Sequence, residues 1–150
     1  MTVRLQKQDF DVTTELDLMR GDRSDIGATV SFVGYVRDTA NGIKIKSMTL
    51  EHYPAMAQSQ LEKIETRALA RWPIDDCLII HRFGVLKPAE QIVMVITCSP
   101  HRAAAFEACD YIMDFLKTDA PFWKKENPVS GNADWVKSKL DDDEAKARWN

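Results

Sequence analysis

Residues 116–126 read LKTDAPFWKKE and gather Lys117, Lys124 and Lys125 around a Pro-Phe-Trp knot. Aromatic side chains beside a proline usually belong inside a protein, and lysines usually do not. A lysine kept against apolar walls loses solvation, its neutral form gains ground, and general acid–base work near neutral pH comes within reach. The segment Pro121-Phe122-Trp123 is expected to anchor a loop to the core and so hold its neighbours in fixed positions. Plainer accounts stand beside this one. Lys124 and Lys125 equally suit a solvated edge, and Lys117 equally suits the last turn of a helix, where the macrodipole favours a cation.

A second cluster, SPHR at 99–102, opens a helical pattern with His101 and Arg102 in its first turn. The dipole disfavours each cation there by a few tenths to about 1 kcal/mol, yet the free N–H groups of such an end bind anions. A histidine and an arginine added to them suit a phosphate or a carboxylate; a solvent-facing Arg102 is the alternative. Arg37 ends FVGYVR, and Gly34 within it either lets a ligand or another backbone come close or marks a bulge. His52 is placed to line a site at the entry to a helix, whereas His81, in an apolar strand, reads as a satisfied core or edge histidine. Cys98 and His101 invite a thiol–imidazole reading. Cys98 closes an apolar run with no orienting Asn or Asp evident, which is the wrong setting for a nucleophilic thiol. Cys98-x-x-His101 lacks a second ligand pair, so no metal site is expected, and neither a P-loop nor GxGxxG appears.

These residues need elements to hold them. VTTELDLMR at 12–20 reads as a short helix ended by Gly21. GATVSFVGYVR alternates as a strand, Asn41-Gly42 marks a turn, and IKIKSMTLEHY alternates again with a phase shift that predicts a bulge near Ser47. Together they suggest a hairpin. Between Pro54 and Pro73, Ala57, Leu61, Ile64, Ala68 and Trp72 recur at helical spacing. CLIIHRFG and QIVMVITC, linked by VLKPAE, predict a second hairpin. SPHRAAAFEACDYIMDFLK is the clearest helix, with Ser99 expected as N-cap and Pro100 as first helical residue. The C-terminal stretch has room for a short extended piece and a final short helix. The order hairpin, helix, hairpin, helix gives an α+β plan, with helices packed on a mainly antiparallel sheet.

A chain of 150 residues fits one domain, here 1–150, with a substantial core. With 45% hydrophobic and 29% charged residues, the composition is that of an ordinary globular protein. No run is long enough for a membrane span, and the N-terminus lacks the apolar region of a signal peptide, so a cytoplasmic location is expected. Cys77, Cys98 and Cys109 read as reduced core thiols. A net charge of −3 argues against nucleic-acid binding, while a local basic pocket in an acidic chain suits a small anion.

FVGYVRD, LEHYPAM, RWPI, IHRFGVLKPAE, SPHRAAAFEACDYIMDFLK and KTDAPFWKKE, in this order from about residue 26 to residue 135, resemble the MoaE family, the large catalytic subunits of molybdopterin synthase. The resemblance implies an α/β-hammerhead fold and a sulfurtransferase that needs no cofactor. It implies conversion of cyclic pyranopterin monophosphate (precursor Z) to molybdopterin. Two sulfurs would come from a small ubiquitin-like subunit with a C-terminal Gly-Gly thiocarboxylate, in a heterotetramer built on a central dimer of large subunits. Carried over, it implies a substrate pocket of Arg37, His101, Arg102, Lys117, Lys124 and Lys125, with Lys117 and Lys124 as the catalytic pair. Lys139 departs from the family pattern, which suggests at that position an arginine reaching the neighbouring subunit's pocket.

Overall fold

CLIIHR and QIVMVITC are apolar at nearly every position, the signature of strands covered on both faces. A computed structural model, which describes residues 1–136 and 140–150, bears this out. In chain order the elements are β1 (Thr2–Gln6), α1 (Val12–Arg20), β2 (Ala28–Tyr35), β3 (Thr39–Ala40), β4 (Ile43–His52), α2 (Pro54–Arg71), β5 (Asp76–Arg82), β6 (Gly84–Leu86), β7 (Gln91–Ser99), α3 (Arg102–Thr118), β8 (Phe122–Pro128), β9 (Asp134–Trp135) and α4 (Leu140–Ala147).

The first sheet runs β1-β5-β7-β2. β1 lies parallel to β5, and the other pairs are antiparallel. Alternation along β5 and β7 sends Cys77, Ile79, Val93 and Val95 to one face, where Leu61, Ile64 and Ala68 of α2 and Cys109, Ile112 and Leu116 of α3 cover them. Leu78, Ile80, Met94, Ile96 and Cys98 fall on the other face, under Phe10 and the Val12, Leu16 and Met19 side of α1. Each fully buried aliphatic side chain here contributes about 1.5–3 kcal/mol. Both long helices therefore share one face, and the short helix holds the other.

The helix ends follow local chemistry. The Asp11 carboxylate accepts the Thr14 N–H at 2.8 Å and caps α1. Pro54 opens α2 at a position whose N–H would have no partner anyway. The start of α3 differs from expectation: the N-cap is His101, not Ser99, and it makes no side-chain cap bond. Ser99 is instead fully buried, donating its hydroxyl to the Pro73 carbonyl at 2.9 Å and accepting the His101 N–H at 3.3 Å. The serine ties the turn before α3 to the end of α2 rather than capping a helix.

The expected hairpin between β2 and the IKIKSMTLEHY strand does not form. β2 pairs with β7, and Asn41-Gly42 closes only the two-residue β3 onto β4. After β2, both backbone groups of Val36 bond to the turn before β7: its N–H reaches the Glu90 carbonyl at 2.9 Å, and its carbonyl takes the Ala89 N–H at 2.8 Å. This exchange carries the chain out of the first sheet. β4 instead anchors a second, antiparallel sheet with β3, β8 and β9, and β6 pairs with β4 as well. The predicted bulge is present, as a register shift between Ile45 and Ser47. The β5–β7 hairpin and the extended-then-helical C-terminal stretch also form.

Candidate active site

LKTDAPFWKKE is the end of a helix followed by a strand, not an anchored loop. Lys117 sits in the last turn of α3, and β8 begins at Phe122. A strand turns successive side chains to opposite faces. Register with β4 places Phe122, Lys124 and Glu126 opposite His52, Leu50 and Met48, on the inner face. Trp123 and Lys125 lie opposite Glu51 and Thr49 on the outer face. The anchor is thus Phe122 alone. Trp123 is exposed, edge-on to Tyr53 at 5.1 Å between centroids. Lys125 has its ammonium 5.6 Å from the Trp135 ring centroid. The puzzle of lysines around an oily knot resolves into strand parity.

Two adjoining cavities open on that inner face. One of about 180 Å³ is lined by Tyr35, Arg37, Thr39, Ala40, Ile45, Met48, Ile92, Lys117, Phe122, Lys124, Glu126, Val136 and Asp142. The other, of about 100 Å³, shares Tyr35, Ile92, Lys117, Phe122 and Lys124 and adds Phe32, Gly34, His81, Val93, Met113, Leu116 and Ala120. Arg37, Lys117 and Lys124 face Glu126 and Asp142 across the larger one, an excess of positive charge among its described lining residues. Apolar walls with a few convergent charged groups are the usual make-up of a small-ligand site.

Phe122 forms the floor between two histidines. Its ring lies parallel to His81, with centroids 3.8 Å apart and planes 12° apart, and more loosely against His52 at 5.7 Å. His52 in turn packs on Phe83 at 4.3 Å. Burial pushes His52 below its ordinary range. His81 is fully enclosed, and burial drives its pKa down to about 3, with the positive charges of Lys124, His52 and Lys117 adding to the effect. The His81 ring is therefore neutral at physiological pH. Gly34 marks a bulge, with a register shift at Gly34/Tyr35, and a close packing crossing, because a Cβ there would meet Val93 Cγ1 at 3.0 Å.

Comparison with known proteins gives this site a context. The family model described as MoaE protein matches residues 5–119. The chain belongs to the MoaE family. It is 48% identical over 148 residues to the molybdopterin synthase catalytic subunit of Ralstonia nicotianae, covering 99% of this chain and 84% of that protein. A solved MoaE structure from Burkholderia ambifaria superposes with a TM-score of 0.84 at 48% identity, covering 99% and 97% of the two chains. A molybdopterin synthase crystal structure from Staphylococcus aureus gives 0.81 at 28% identity, covering 89% and 96%. The α/β-hammerhead fold expected from the sequence is thus that of the MoaE structures, and the likeness reaches further toward the N-terminus than the motifs at 26–135 suggested.

Not all residues carried over from the MoaE pattern meet in one place. Arg37, Lys117 and Lys124 line the larger cavity. Lys125 does not; parity puts it on the outer face, beside Trp135. His101 and Arg102 are exposed at the opposite end of α3. At 1.5 Å per residue, His101 stands about 24 Å from Lys117 of its own chain. One protomer therefore cannot bring the SPHR turn and the lysine cavity together. Lys139 lies outside the described residues. Cys98 is fully buried, and burial raises its thiol to about 11, which rules out the thiol–imidazole reading. The sequence reading missed Tyr35, Glu126 and Asp142. Glu126 was accessible from the period-2 rule once 122–128 is taken as a strand, whereas Asp142 reaches the cavity only through the docking of α4.

Proposed function

We propose that the chain is the catalytic subunit of a molybdopterin synthase, that residues 1–150 act as one domain, and that Lys117 and Lys124 are its catalytic groups with Arg37 binding substrate beside them. The observation that carries this is the convergence of Lys117, from the end of α3, and Lys124, from the inner face of β8, on one cavity floored by Phe122. The reaction converts cyclic pyranopterin monophosphate to molybdopterin with two sulfurs from the thiocarboxylated Gly-Gly terminus of a small ubiquitin-like subunit. In one transfer the thiocarboxylate sulfur bonds to the substrate carbon that carries a cyclic-phosphate oxygen, and that C–O bond breaks to leave an open phosphate monoester; in the other it bonds to the adjacent carbonyl carbon, whose oxygen departs as water. Water then cleaves the resulting thioester, returning the carrier's carboxylate and leaving sulfur on the pterin. These steps, and opening of the cyclic phosphate, build negative charge and move protons. Two ammonium groups over an apolar floor stabilise that charge and serve as proton donors. The guanidinium of Arg37 presents a planar fork of donors suited to phosphate.

His101 and Arg102 serve the pocket of a second copy in the central dimer. Support comes from their exposure, from the free N–H groups of α3 beside them and from their distance to the lysines of their own chain. The location is cytoplasmic, in keeping with three buried, unpaired cysteines. Among the described residues, no helix is long and apolar enough to cross a membrane.

The test is reconstitution with a thiocarboxylated partner and precursor Z. Lys117→Ala is expected to abolish molybdopterin formation, and near-normal turnover sinks its assignment. Mixing Lys117→Ala and Arg102→Ala subunits, each inactive alone, is expected to restore part of the activity, because a mixed dimer holds one intact pocket. No restoration refutes the shared pocket.

A further inference from the structure

His81 belongs by register to the core face of β5, in line with Cys77 and Ile79, yet it lines the smaller cavity together with Lys117 and Lys124. Its Nδ1 lies 2.8 Å from the Arg82 carbonyl. A carbonyl only accepts, so Nδ1 carries the proton and Nε2 is left with a lone pair. That bond fixes the plane of the ring, and the ring face lies flat on Phe122 at 3.8 Å. Phe122 and Lys124 are two residues apart on the same face of β8, so a tilt in one is passed to the other along the strand.

We propose that His81 is a positioning residue for catalysis: an imidazole held by its bond to the Arg82 carbonyl that clamps Phe122 and thereby sets the pose of Lys124 in the cavity. This rests on the reading of Lys124 as a reacting group. A histidine suits the task where phenylalanine does not. A phenyl ring stacks equally well but has no bond to fix its plane. The charged and titratable groups facing the ring are Lys124 from β8, Lys117 from α3 and His52 from β4, with Arg82 next to it on β5. Enclosure of the ring and the facing lysines disfavour a second proton and outweigh the bond to the Arg82 carbonyl, which favours one, so the clamp holds across the working pH range.

Three measurements test the proposal. Nitrogen NMR of histidine-labelled wild-type protein is expected to show His81 with a protonated Nδ1 and a bare Nε2 from pH 5 to pH 8; titration of His81 within that range overturns the lock. His81→Asn retains a donor for the Arg82 carbonyl and removes the stack. In the reconstituted synthase its kcat is expected to fall tenfold or more, with KM changed less than threefold. A kcat within twofold of wild type overturns the positioning role, as does a loss no larger than the unfolded fraction in the same sample. The pose is also read without turnover. After reductive carbon-13 methylation, the Lys124 signal is expected to move in His81→Asn while the Lys125 signal stays, and an unmoved Lys124 signal overturns the clamp. Should His81→Asn fail to fold, His81→Phe keeps the stack and loses the bond, with a smaller shift at Lys124 expected and none refuting the idea. Absence of product from wild-type protein would instead strike the proposed reaction and leave the two NMR measurements to decide on His81.

Discussion

Gly27→Ala is predicted to damage the molecule at the point where α3 is launched. A Cβ on Gly27 would lie 2.0 Å from the Pro100 carbonyl oxygen and 2.8 Å from its carbon. Both are backbone atoms, so no side chain can swing aside. Relief requires β2 and the SPHR turn to part by an ångström or more. Overpacking of this kind costs about 1–3 kcal/mol. Parting the segments also stretches the bond from the Gly27 N–H to the Ser99 carbonyl, now 3.0 Å, worth about 1 kcal/mol. The sum of about 2–4 kcal/mol corresponds to a fall in melting temperature of about 4–16 °C for a chain of this size. Gly42→Ala is the control. It has a positive φ of 78° with nothing within 4 Å, so only backbone strain, on the order of 1 kcal/mol, is at stake. Differential scanning calorimetry on both variants gives the comparison. Because His101 and Arg102 ride on the displaced turn, KM for the pterin should also rise in Gly27→Ala. A melting temperature within 2 °C of wild type would refute the steric reasoning.

Other outcomes follow from the same geometry. Lys124→Met should lower kcat by a hundredfold or more, while Lys125→Met stays within a few-fold, as measured by molybdopterin formation; equal losses would contradict the strand parity. His81 has a folded pKa near 3 against an ordinary 6.5, so the unfolded chain takes up the proton first on acidification. Stability therefore declines as pH drops through that window, by about 2 kcal/mol between pH 7 and pH 5, and urea melts of His81→Asn should lack this share. Glu65 is buried with Oε2 unpartnered, and burial raises its pKa. The native state then holds its proton longer than the unfolded state, so stability falls as pH climbs above 4.5. Glu65→Gln should melt higher than wild type at pH 8 and show no such gain at pH 4.5.

The helices were legible because their apolar spacing and their punctuation agree: Gly21 ends α1, Pro54 and Pro73 bracket α2, and the pattern from Ala105 to Leu116 defines α3. The bulge near Ser47 was legible as a phase change along β4. Strand partners were not. Asn41-Gly42 is a strong local turn cue, but the partner of β2 is decided by the bonds of Val36 to residues 89 and 90, far along the chain. β8 was hidden because Pro121 and two adjacent lysines mask a period of two that only Phe122, Lys124 and Glu126 carry. The separation of His101 from Lys117 was already implicit in the length of α3, since a helix is a rigid spacer whose span can be read from its residue count. Of the two settings expected for His81, core or edge, the structure shows the core one, and its place beside the lysines depends on β8 packing against it.

The alternation in β8 imposes a kind of grammar on chain length. Residues 119–121 join the helix that carries Lys117 to the strand that carries Lys124. Insert one residue there and every later side chain of the strand changes sides: Lys125 would enter the cavity, Lys124 would meet solvent, and Phe122 would leave its stack. Insert two and each side chain keeps its face but slides by about 7 Å along the sheet. Length changes at this join are therefore not interchangeable, and an odd step is a substitution of the whole site. A directed library of one- and two-residue insertions would show activity sorted by parity before it is sorted by which residues are inserted.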